Sequence, residues 1–128
     1  MKKIAFLCLL LVLSACSKKS TPAPTPDATV TYHFTGDTLA TYDIRYTGPD
    51  GQPISTTASG TEWSKTVTAS KASGYTNAVF FISLTQPNTI IKGSADISVN
   101  GKMSSQVPLT FNSGVGATDL TFYAPVFK

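Results

Sequence analysis

From residue 29 onward, hydrophobic and polar residues alternate with a period of two. That spacing puts one face of a β-strand in a core and the other in solvent. Val30, Tyr32 and Phe34 alternate with Thr29, Thr31, His33 and Thr35, and Ala40, Tyr42, Ile44 and Tyr46 alternate with Thr41, Asp43 and Arg45. Gly48-Pro49-Asp50-Gly51 interrupts the pattern with residues suited to a tight turn. Trp63, Lys65, Val67 and Ala69 share one face of the next strand, against Ser64, Thr66 and Thr68 on the other. The run from Ala78 to Leu84 is apolar on both faces, as a central strand is. One of Phe80 and Phe81 must then lie outside the core, unless that sheet is covered on both sides. Ile91–Val99 pairs with Lys102–Thr110 through Asn100-Gly101, a dipeptide suited to the positive φ that a type I′ hairpin needs at both central positions. Gly114 and Gly116 mark a flexible loop before a last strand bearing Leu120, Phe122, Ala124 and Val126, which Pro125 makes an edge candidate. No stretch has helical spacing. About seven short strands separated by turn signals predict an all-β, antiparallel, immunoglobulin-like β-sandwich over residues 29–128. An open barrel is the alternative.

The first residues follow a different pattern. Lys2 and Lys3 precede an apolar run from Ile4 to Leu13, far shorter than the roughly 20 residues of a membrane-spanning helix. Its dimensions are those of a signal-peptide core. The run closes on Leu13-Ser14-Ala15-Cys16, which resembles the lipobox of bacterial lipoproteins. Residues 1–15 are therefore expected to be removed, and Cys16 to carry the lipid that holds the chain to a membrane. Ser17 is not the aspartate that favours inner-membrane retention, and Lys18-Lys19 is not the acidic cluster associated with surface export. An outer-membrane anchor facing the periplasm is the expectation. Residues 16–28 form a stalk whose Pro22, Pro24 and Pro26 alternate with small residues, favouring extended chain and offering nothing to bury.

Removal of the signal would take Lys2 and Lys3 with it, leaving eight basic against seven acidic residues. That near-neutral balance leaves no basic patch for nucleic acid. Cys8 also lies in the removed segment, so Cys16 would be the only cysteine and no internal disulfide could form. His33 is the only histidine, and Asp27, Asp37, Asp43, Asp50, Glu62, Asp96 and Asp119 are scattered singly. No metal-ligand spacing, phosphate loop or nucleophile–base pairing is visible. The expectation is no enzyme, no metal and no cofactor, with His33 a surface residue without a role. Two aromatic residues are weak ligand-binding candidates. Trp63 is expected in the core, with a binding platform as the rival role. Phe81 is a candidate because one of the two adjacent phenylalanines must face outward. Tyr42 and Tyr46 are expected to be core or sheet-edge residues whose hydroxyls reach water.

The order of several short motifs resembles the MmpS family of small transport-accessory proteins. These motifs are Val30-Thr31-Tyr32-His33-Phe34-Thr35-Gly36, Ile44-Arg45-Tyr46, Pro49-Asp50-Gly51-Gln52, Glu62-Trp63-Ser64-Lys65-Thr66-Val67 and Ile97-Ser98-Val99-Asn100-Gly101-Lys102. The resemblance implies a β-sandwich domain that partners a large RND-type transporter. This chain departs from the family in having a lipobox in place of a transmembrane helix, and Ala95 with no cysteine where the family commonly has a cysteine pair. The expected function is a non-catalytic, lipid-anchored accessory or binding module of the cell envelope, in contact with an envelope protein or transporter. A glycan- or lipid-binding sandwich is the alternative.

Overall fold

A computed structural model describes residues 26–114 and 118–127. The lipobox with Cys16, the stalk up to residue 25, and Gly116 lie outside the described residues. Among those described, six strands follow one another: β1 (Ala28–Thr47), β2 (Pro53–Ala69), β3 (Asn77–Leu84), β4 (Ile90–Val99), β5 (Lys102–Asn112) and β6 (Asp119–Pro125). A 3-10 turn at Lys71–Ser73 lies between β2 and β3.

The strand pairings are antiparallel. β1 is 20 residues long and unites the first two strands expected from the sequence. β2 runs beside it throughout, with a register shift between Thr35 and Ala40. Before the shift, the other side of β1 pairs with β4, from Val30↔Val99 to Gly36↔Gly93. After it, β1 pairs with β3, from Tyr42↔Leu84 to Tyr46↔Phe80. β5 extends the sheet beyond β4 and β6 extends it beyond β3. Two layers therefore share β1 and β2, and β5 and β6 approach each other so that the sheet nearly closes. This is the antiparallel β-sandwich that the alternating pattern predicts, with six strands because one bent strand replaces two. β6 is the end strand of the order, in keeping with Pro125.

The bend has identifiable supports. Asp37 Oδ1 accepts the backbone N–H of Lys92 at 2.9 Å. That bond is the main reason the Asp37 carboxyl titrates below the ordinary carboxylate range. Gly36 faces Gly93 across the β1–β4 ladder, and a Cβ on Gly93 would overlap the Thr35 carbonyl oxygen. Only glycine permits that approach. At the β4–β5 hairpin, Asn100 and Gly101 have φ values of 52° and 74°, as a type I′ turn requires. The Asn100 side chain also accepts the Thr29 N–H at 2.8 Å, tying the hairpin to the start of β1.

Aromatic residues from the two halves of β1 meet between the layers. Tyr32 lies 5.4 Å from Tyr46 and 5.4 Å from Phe80, and Phe34 lies 4.7 Å from Tyr42, ring centre to ring centre. Tyr32, Phe34, Tyr42 and Phe80 are all buried. The Tyr32 and Tyr75 hydroxyls are 2.7 Å apart, and Tyr32 donates to the Thr47 carbonyl at 2.9 Å. Burial is the chief reason both phenols titrate above the ordinary tyrosine range. Tyr42 corrects an expectation: its hydroxyl does not reach water but is buried without a hydrogen-bond partner among the described residues. An unsatisfied buried hydroxyl costs about 1–3 kcal/mol, which the surrounding aromatic packing must offset.

Trp63 occupies the open flank of this core. It is half-buried and stacks on its cross-strand neighbour Phe34, with ring centres 6.4 Å apart and planes inclined by 20°. Its ring also lies 5.6 Å from Tyr46 and 5.7 Å from Phe80. Trp63→Ala should therefore destabilise the chain by about 3 kcal/mol, the lower end of the range for truncating a packed aromatic. Urea unfolding followed by circular dichroism measures this. A loss below about 0.5 kcal/mol, the scale of an ordinary surface substitution, would show that the indole does not support the core.

Candidate functional site

Period two along β3 sends Ala78, Phe80, Ile82 and Leu84 inward, so Val79 and Phe81 face outward. The pairing register gathers further side chains on that outer face. Phe81 is opposite Arg45, Val79 is opposite Tyr123, Arg45 is opposite Ser55, and Asp43 is opposite Thr57. Val79 is 42% exposed and Tyr123 is 70% exposed, so this face carries apolar surface that the fold leaves uncovered. The Arg45 guanidinium lies 5.5 Å from the centre of the Phe81 ring, a cation–π contact that limits its freedom. No carboxylate forms an ion pair with Arg45 among the described residues. Thr57 donates its hydroxyl to Asp43 at 3.2 Å.

Two shallow depressions meet at Arg45 and Phe81. One, of about 260 Å³, is rimmed by Asp43, Arg45, Ser55, Thr57 and Phe81. The other, of about 210 Å³, is bounded by Arg45, Tyr46, Gly51, Pro53, Val79 and Phe81 and is mainly apolar. The face thus offers a charged, hydroxyl-bearing half and an apolar half side by side.

The outer face of the other layer holds a different cluster. His33 Nδ1 is 2.9 Å from Asp96 Oδ2, and His33 Nε2 is 3.2 Å from Glu62 Oε1. The ring therefore bridges β4 and β2 across β1. His33 is partly exposed, and it has two carboxylate partners that its place in the sequence does not reveal. Desolvation is the largest single influence on the ring and lowers its pKa. The hydrogen bonds and charges of Asp96 and Glu62 together outweigh it, so the net shift is upward from the ordinary histidine value. With both nitrogens engaged, the imidazole is a cross-strand clamp. Among the described residues, no group of three or more His, Cys, Asp or Glu side chains is placed to hold a metal ion.

The structure separates the two aromatic candidates. Trp63 is committed to the aromatic core, whereas Phe81 is half-buried at the centre of the outer face. The sequence alone does not single out Arg45 or Tyr123, although their alternation with Tyr46 and Phe122 already turns them away from the core. What the sequence lacks is the register that brings them beside Phe81. No family model matches the chain, and no curated protein is significantly similar to it.

The His33 clamp has a definite pH signature. Its folded pKa is raised, so protonation favours the folded state. The stabilisation is complete below the unfolded value of about 6.5 and is lost as pH rises through the folded value. The urea midpoint of the full chain should therefore fall as pH rises from mildly acidic to mildly alkaline, and His33→Gln should flatten that dependence. An equally steep dependence in His33→Gln would contradict the clamp.

Proposed function

We propose that this chain is a lipid-anchored module of the cell envelope that acts by binding rather than by catalysis. Its contact surface is the outer face formed by β3, β6 and the adjoining part of β1. The lipid on Cys16 concentrates the domain at the membrane, and the proline-bearing stalk holds it clear of the headgroups. On this reading the anchor is in the outer membrane facing the periplasm, and the partner is an envelope protein, with an RND-type transporter as the form suggested by the MmpS-like motifs. The observation that carries the reading is the cluster of Val79, Phe81 and Tyr123 on one outward face, beside an arginine without a carboxylate partner among the described residues. Exposed apolar surface rimmed by polar groups is characteristic of interaction sites.

The test is site-specific photocrosslinking in native membranes. A photoreactive phenylalanine analogue at Tyr123 should give a discrete adduct with an envelope component. The same analogue at Thr66, on the opposite outer face, should not. Adding Cys16→Ala should leave an unprocessed precursor that incorporates no acyl-chain label, and should sharply reduce the Tyr123 adduct. Equal adducts at both positions, or none at Tyr123, would contradict the proposed surface.

A further inference from the structure

We infer that the two depressions that meet at Arg45 and Phe81, with exposed Tyr123 beside Val79 beyond them, form a binding site for a carboxylate-bearing saccharide. The inference rests on the reading of this face as the contact surface and names the chemistry it accepts. Ser55 and Thr57 on β2, Asp43 and Arg45 on β1, Phe81 and Val79 on β3, and Tyr123 on β6 succeed one another across four adjacent strands. Strand spacing makes that distance roughly 14 Å, enough for an extended ligand to lie across the sheet.

The order of groups selects the ligand. Arg45 presents a planar cation, held against Phe81 and without a carboxylate partner among the described residues. A guanidinium fork matches a carboxylate through paired hydrogen bonds. Asp43 lies two residues away on the same face and lines the same depression. Its negative charge disfavours a multiply charged phosphate there, but its free acceptor capacity suits sugar hydroxyls. Ser55 and Thr57 add hydroxyls at the rim. The adjoining depression, with Val79, Pro53 and Phe81, receives the apolar C–H face of a sugar ring, and exposed Tyr123 offers a further surface for stacking. One cation, one acceptor and two apolar surfaces in line fit an acidic saccharide better than a purely anionic or purely apolar ligand.

Isothermal titration of the full chain in detergent with oligogalacturonate, and with its carboxyl-reduced counterpart, tests the inference. The uronate should bind at least about tenfold more tightly than the reduced form, the scale of one good charge-assisted contact. Arg45→Gln should remove that difference, and Tyr123→Ser should weaken both ligands. Lys102→Gln, which removes one positive charge from the distant β4–β5 hairpin, should change neither. Absence of saturable binding, or equal loss in Lys102→Gln and Arg45→Gln, would overturn the inference. A Tyr123 crosslink to an envelope protein without saccharide binding would overturn it while leaving the proposed contact surface standing.

Discussion

The double use of β1 governs the rest of the structure. Its first half bonds to β4 and its second half to β3, while β2 accompanies both. Because the strand bends between these halves, side chains that alternate along a single strand come face to face. Tyr32 meets Tyr46, and Phe34 meets Tyr42. The two halves of β1 thus meet at the centre of the core, and Phe80, Trp63 and Phe122 extend the aromatic cluster from the neighbouring strands. The bend in turn depends on the close approach of Gly93 to Thr35 and on the Asp37–Lys92 backbone contact.

The same arrangement produces two outer faces of different character. On the β4 side, Thr31, His33 and Thr35 make lateral hydrogen bonds to Thr66, Asp96, Glu62 and Ser94. Polar groups there are paired with one another across the strands. On the β3 side, Arg45 rests on an aromatic ring and Val79 and Tyr123 remain exposed. The proposed contact surface is thus the face on which, among the described residues, apolar side chains stay exposed and Arg45 has no carboxylate partner.

Much of the architecture was legible in the sequence because strand periodicity is local. Val30, Tyr32, Phe34, Ala40, Tyr42, Ile44 and Tyr46 are all buried, as their alternation requires. Asn100-Gly101 specifies its hairpin for the same local reason. The number of strands was not legible, because nothing in Gly36-Asp37-Thr38-Leu39 distinguishes a turn from a bend within one strand. Nor were the pairings of His33 with Asp96 and of Arg45 with Phe81, residues separated by long stretches of sequence and brought together only by register. The outward place of Phe81 was half-visible: the Phe80-Phe81 pair required one ring outside, but only the register says which ring and beside what.

Native-state hydrogen exchange along β1 tests the central claim most directly. If one continuous strand joins both layers, the protected amides from Val30 to Phe34 and from Tyr42 to Tyr46 should share one opening free energy, equal to that of global unfolding. Two separate values, with the β4–β5 side opening while the β3–β6 side stays protected, would contradict the account.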